Sequence, residues 1–221
     1  VFVKVCQITN EEDALLAVAM GADAVGFIFA PSPRQVQPTV VRDIVKRLPP
    51  EILTVGVFQN EAPSRVIEIV QATGLRGAQL HGHESPEETR RVKERVPVVF
   101  KVFGAGDPAV RRAAEHRADA VLVDNPRGGG SGQVFDWSLA EGVPGGQRLI
   151  LSGGLTAENV TDAITTVHPW GIDVGTGVEA SPGHKDATKV RRFIQAVRAA
   201  EVLEKEPDPT GPAPFDWMEH E

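Results

Sequence analysis

The sequence predicts a closed (β/α)8 barrel, the TIM-barrel form of the α/β class, on three observations. Eight apolar runs of four to seven residues, rich in Val, Ile and Phe, recur about every 22–28 residues. Stretches with helical period separate them, which is the alternation that right-handed parallel crossovers require. Polar or glycine-bearing turns follow many of the runs. The rival is an open doubly wound sheet. It is weakened because no Gly-x-Gly-x-x-Gly turn follows the first run and because the polar residues are spread over many strand ends rather than one switch point.

In order, the strands are expected at residues 2–6, 24–29, 52–58, 77–80, 97–103, 119–124, 148–152 and 171–174. Thr9-Asn10-Glu11-Glu12 forms a capping box ahead of the first helix, which carries Ala14 to Met20, and Gly21 stands where a left-handed C-cap is wanted. The seventh helix is expected to start at Thr156, with Val160, Ala163, Ile164 and Val167 on one stripe. The last places Val190, Phe193, Ile194 and Val197 on its sheet-facing side. Residues 1–200 thus read as one barrel domain. Residues 201–221, with four prolines and no apolar period between 204 and 214, read as an extended or disordered acidic, Pro-rich tail. Its Phe215-Asp216-Trp217-Met218 reads either as a docking segment for a protein partner or as an untethered end with incidental aromatics.

Composition narrows the function. The chain of 221 residues is 41% hydrophobic and 24% charged, enough for a full core. A mean hydropathy of −0.14 and the absence of a run of about twenty apolar residues exclude a helical membrane span. Its start lacks the pattern of a signal peptide, so a cytoplasmic location is expected. The net charge is −7, and the tail accounts for most of it: residues 201–221 hold seven Asp and Glu against Lys205. The body is near neutral and has no basic excess for nucleic acid. One cysteine permits no internal disulfide. His83, His116, His168, His184 and His220 show no metal-ligand spacing, so no metal is expected.

In such a barrel the chemistry sits at the carboxyl ends of the strands. Cys6 ends the first strand and Pro31-Ser32-Pro33-Arg34 follows the second. Gln79 and His81 end the fourth, Asp124 the sixth, Ser152-Gly153-Gly154 the seventh and Asp173-Val174-Gly175-Thr176-Gly177 the eighth. The glycine turns after the last two strands lie where barrels of this kind bind phosphate, and point to a small phosphorylated substrate; alone, each reads as a tight turn. Asp124 can donate a proton or merely cap the segment after it. Cys6 is a base or nucleophile, or an inert core thiol. Arg34 can clamp a carboxylate with its planar fork, or stand as a solvated charge. His81 can line the site or sit as a satisfied core histidine.

Taken together, these motifs resemble the phosphoribosylanthranilate isomerase family of tryptophan biosynthesis. The likeness runs over residues 3–198, through Lys4-Val5-Cys6-Gln7-Ile8-Thr9, Gly26-Phe27-Ile28-Phe29, Ser32-Pro33-Arg34, Gln79-Leu80-His81-Gly82, Leu122-Val123-Asp124, Gly130-Ser131-Gly132, Phe135-Asp136-Trp137, Gly153-Gly154-Leu155, Gly177-Val178-Glu179 and Pro182-Gly183-His184-Lys185-Asp186. The resemblance implies a cofactor-free Amadori rearrangement with Asp124 as acid and Cys6 as base. It also implies that Arg34 holds the anthranilate carboxylate, that the glycines of the last two loops hold the phosphate, and that His81 and Asp173 line the substrate site. Asp124 is then expected to hold its proton longer than a free carboxyl. Cys6 is expected to lose its proton more readily than a free thiol, helped by Lys4 or by backbone N–H groups.

Two departures stand out: Gln7 where the family usually has glycine, and Gly175-Thr176 where it often has Ser-Ser or Ser-Thr. If the strand continues past Cys6, Gln7 points away from the mouth; if the chain turns there, its side chain enters the site. Two other functions fit the same pattern: a related phosphosugar isomerase or epimerase, indifferent to the aromatic ring, and a catalytically retired phosphate-binding barrel that docks a pathway partner through its tail.

Overall fold

In the computed structural model, which describes residues 1–125, 136–140 and 142–204, the eight strands close into a parallel barrel in sequence order. They are β1 (Phe2–Val5), β2 (Ala24–Ile28), β3 (Leu53–Phe58), β4 (Gly77–Leu80), β5 (Val98–Gly104), β6 (Ala120–Asp124), β7 (Leu149–Leu151) and β8 (Gly171–Val174). β8 pairs with β1, setting Lys4 beside Asp173.

The helices are α1 (Glu11–Ala19), α2 (Pro38–Val45), α3 (Pro63–Thr73), α4 (Pro86–Lys93), α5 (Val160–Val167) and α6 (Ala187–Glu204). Asn10 caps α1 by accepting from the Asp13 N–H, and Gly21 follows its end at φ +97. Proline opens α2, α3 and α4, where a missing N–H costs nothing and a fixed φ favours the first turn.

The structure departs from the sequence expectation at four places. The connections after β5 and β6 carry 3-10 segments, Pro108–His116 and Trp137–Ala140, rather than α-helices among the described residues. α5 starts at Val160 and not at Thr156, because Asn159 accepts from the Thr156 N–H and donates to the Gly154 carbonyl, tying that stretch into a turn. After β8 the chain makes an unexpected hairpin, β9 (Glu179–Ser181) with β10 (His184–Lys185), before α6. α6 itself runs to Glu204, past the expected boundary at 200. The expected tail from 205 onward, with its aromatic segment, lies outside the described residues, as does Gly130-Ser131-Gly132.

Strand alternation sorts the side chains. Val3 and Val5, Val25 and Phe27, Val121 and Val123, Ile172 and the outward stripes of the helices share the layer between barrel and helices. Val55, Phe100, Val102, Ala120, Leu122 and Ile150 fill the barrel's interior. With a period of two, the residues alternating with the outward set face inward: Lys4 and Cys6, Gly26, Gln79 and His81, Asp124, and Asp173. The polar members of this inward set therefore collect at the carboxyl end of the barrel.

Candidate active site

All nine residues singled out from the sequence, Cys6, Arg34, His81, Asp124, Gly153, Gly154, Asp173, Gly175 and Thr176, line one cavity of about 480 Å3 at that end.

Below Cys6 the barrel floor is an ion pair. The Lys4 Nζ donates to Asp173 Oδ1 at 2.9 Å, and both side chains are buried. The crowding is tight enough to demand glycine at position 26, where a Cβ would stand 2.7 Å from the Cys6 Sγ and 3.2 Å from the Lys4 Nζ. Burial pushes the Cys6 thiol up; Lys4 and, more weakly, Lys185 pull it down, and Asp173 opposes them. The net direction is upward, contrary to the expectation of a readily lost proton: desolvation of the thiolate outweighs both lysines. Lys4 remains fully charged, its pKa raised because Asp173 and Cys6 overcome its own burial.

Across the cavity, Asp124 ends β6 and is 4% exposed. Its Oδ1 accepts from the Asn125 N–H at 2.7 Å, and its Oδ2 lies 3.5 Å from the His81 Nε2. Burial raises the Asp124 carboxyl, the direction expected for a group that keeps its proton. His81 is pushed down by its own burial and is a neutral imidazole at pH 7. Gln79 Nε2 lies 3.4 Å from His81 Nδ1, on the side of the ring away from Asp124.

Arg34 is not a solvated charge. Its Nε and Nη2 donate to Glu179 Oε1 and Oε2 at 2.8 and 2.6 Å, a bidentate pair along one edge of the guanidinium. The end-on edge, formed by the two terminal nitrogens, stays available to a second carboxylate. Glu179 in turn accepts from the Gly183 N–H and lies 3.5 Å from the buried Lys185 Nζ, which also donates to the Gly175 carbonyl at 3.0 Å. Glu179 and Lys185 were visible in the sequence only as parts of motifs. What brings them to Arg34 and to the Gly175 carbonyl is the β9–β10 hairpin.

Gly153 and Gly154 both take positive φ, +95 and +67, and among the described residues their N–H groups have no partner within the protein. Gly177 cannot be another residue, since a Cβ there would meet the Leu155 carbonyl oxygen at 1.9 Å. Unpaired backbone donors on a glycine turn can take an anion. Among the described residues no three His, Cys, Asp or Glu side chains group as a metal site, and no helix is long and apolar enough to cross a membrane.

A (β/α)8 barrel with its polar cavity at the strand carboxyl ends, glycine turns after strands seven and eight and titratable groups on its walls belongs, as a class, with the barrel enzymes that work at this end of the fold. Comparison with known proteins narrows this. The chain belongs to the N-(5'-phosphoribosyl)anthranilate isomerase family, whose model matches residues 3–196. An N-(5'-phosphoribosyl)anthranilate isomerase of Desulforudis audaxviator is 47% identical over 204 residues, 90% of this chain and 98% of the relative. The crystal structure of the Thermus thermophilus isomerase superposes with a TM-score of 0.84 at 36% identity, covering 90% of this chain and 99% of that one. Another family structure, in complex with reduced 1-(o-carboxyphenylamino)-1-deoxyribulose 5-phosphate, gives 0.79 at 40% identity over the same shares.

Proposed function

We propose that this chain performs its family's reaction, converting N-(5-phosphoribosyl)anthranilate to 1-(2-carboxyphenylamino)-1-deoxyribulose 5-phosphate, with Asp124 as general acid and Cys6 as general base. The observation that carries the assignment is the placement of one raised carboxyl on β6 and one thiol on β1 on the walls of a single cavity. In the first step Asp124 gives its proton to the furanose ring oxygen; the C1–O bond breaks and the nitrogen lone pair forms the Schiff base. The carboxylate left behind is met by the Asn125 N–H, with the His81 imidazole 3.5 Å from its other oxygen. In the second step the Cys6 thiolate takes the proton from C2. The electron pair flows toward the iminium nitrogen to give the enolamine, which tautomerises to the ketone. Lys4 holds positive charge beside the sulfur throughout.

Substrate anchors lie on opposite sides of this pair. The anthranilate carboxylate takes the open edge of Arg34, and the phosphate takes the free N–H groups of Gly153 and Gly154 with the turn at Gly175 and Thr176. The relatives' names and the analogue-bound family structure support this substrate over a phosphosugar without the aromatic acid. A soluble, cytoplasmic place in tryptophan biosynthesis follows from this activity. Freshly generated phosphoribosylanthranilate mixed with the protein should lose its anthranilate fluorescence faster than spontaneous hydrolysis allows, with the product confirmed by mass. A folded protein giving only the hydrolysis rate would refute the assignment.

A further inference from the structure

Gln7 and Gly175 meet in a way that ordinary packing does not explain. The chain turns after Cys6, and Gln7 sits at φ +66, in the left-handed region that strains a residue with a Cβ. Its side chain therefore swings under the β8 turn instead of away from the mouth. A Cβ built on Gly175 would stand 2.5 Å from the Gln7 Cδ, 2.6 Å from Nε2 and 2.7 Å from Oε1. Gly175 has φ −123, outside the left-handed region, so a side chain there is opposed by the carboxamide lying against it, which would have to shift.

Gln7 is also electrostatically incomplete. It is 9% exposed, and its Oε1 is buried with no hydrogen-bond partner. Nε2 has no partner among the described residues either, but it is not closed off, and Gln7 lines the cavity. A strained backbone that carries an open, unpaired amide donor concentrates where a ligand completes the site; the orphaned Oε1, an acceptor, is not what an anion would satisfy. The neighbours say which ligand. The Gln7 carboxamide lies against Gly175, in the turn given above to the phosphate, and the N–H groups of Gly153 and Gly154, unpaired among the described residues, line the same cavity. A further donor among donors requires an acceptor-rich anion.

We propose that Gln7 is a substrate-contacting residue, its Nε2–H binding the phosphate of the sugar phosphate from the β1 side, in the space a side chain at 175 would fill. Positions 7 and 175 then form one unit: a carboxamide reaching in from β1 excludes any side chain from β8. The inference rests on the phosphorylated-substrate reading above, and it adds a side-chain donor that the backbone seat does not contain.

The test separates binding from folding. Gln7→Gly should raise the melting temperature by about 2–4 °C, because it relieves the left-handed strain. It should also weaken inorganic phosphate, measured by calorimetry, and raise KM about tenfold, the scale of one hydrogen bond to a charged group, with kcat nearly unchanged. Inhibition by free anthranilate, which reports the Arg34 side, should not change. Gln7→Glu, nearly the same shape with a repelling charge, should lose more phosphate affinity than Gln7→Gly. Gly175→Ala should displace the carboxamide and weaken phosphate alike, and the double variant Gln7→Gly/Gly175→Ala should be no worse than either single change. Wild-type phosphate affinity in both Gln7 variants, or effects that add in the double variant, would overturn the proposal. If Gly175→Ala does not fold, the two Gln7 variants decide it. Phosphate calorimetry needs no turnover, so an inactive wild-type protein would count against the isomerase reading and not against this contact.

Discussion

The two ends of the barrel are built to different rules. At the amino-terminal end Phe2 meets the Phe100 ring edge-on at 6.3 Å and stacks on Trp170 at 4.7 Å, above an interior of Val55, Leu122 and Ile150. The polar groups at this end are paired: the Val3 N–H donates to Asp23, Arg198 bridges to the same carboxylate, and the Arg148 guanidinium lies 5.4 Å over the Trp170 ring. At the carboxyl end the same inward-facing rows become Cys6, His81, Asp124 and Asp173, crowded around one cavity. Of the three buried side-chain atoms without a hydrogen-bond partner among the described residues, two, Gln7 Oε1 and Gln79 Oε1, belong to residues lining it. One end maximises burial. The other keeps charges, a strained backbone at Gln7 and unpaired polar groups, which is the usual division between scaffold and site in this fold.

That contrast is broken most sharply by substitutions at the mouth. Asp124→Ala and Cys6→Ala should each lower kcat by at least about 100-fold in the fluorescence assay, the scale of a positioned acid or base, with little change in substrate binding. Their melting temperatures should hold or rise. The opposite pattern is expected at the other end: Phe100→Ala should cost about 3–5 kcal/mol in denaturant unfolding while kcat/KM of the folded protein stays within a few fold. Arg34→Ala should raise KM about 10–100-fold through loss of the charge-assisted contact, and Arg34→Lys should not restore it, because an ammonium cannot serve Glu179 and a ligand carboxylate on two edges at once.

The pH profile is the finest of these tests. With the roles proposed above, productive protein carries the proton on Asp124 and none on Cys6, the reverse of their intrinsic acidities. The fraction in that state is constant between the two pKa values. It falls below that of Asp124, where Cys6 holds its proton ever more firmly, and above that of Cys6, where Asp124 can no longer keep one. Burial raises both groups. The kcat/KM plateau should therefore begin above the ordinary carboxyl value of about 4 and end above the ordinary thiol value of about 9. An alkaline limb near neutrality would show a thiol stabilised as thiolate, against the dominance of desolvation.

The barrel was legible because its strands are buried on both faces and read as apolar runs; all eight appear within about a residue of their expected places. The site was legible for the same geometric reason, since chemistry at a strand end needs only the strand to be found. Three things were not. The direction of the Cys6 shift depends on how completely the thiol is desolvated between Lys4 and Gly26, which no linear pattern encodes. The Arg34–Glu179–Lys185 chain exists only because a hairpin folds back across 145 residues of separation. The turn at Gln7 defies local preference, since nothing in Cys6-Gln7-Ile8 announces a positive φ.

The measurement that bears most directly on the division between a stable floor and a reactive mouth is Asp124→Asn, nearly the same shape without the acid, followed for both melting temperature and turnover. A protein that melts at or above the wild-type temperature and no longer isomerises phosphoribosylanthranilate beyond hydrolysis is the predicted result. Wild-type turnover, or lost turnover accompanied by a fall in stability like that of Phe100→Ala, would contradict it.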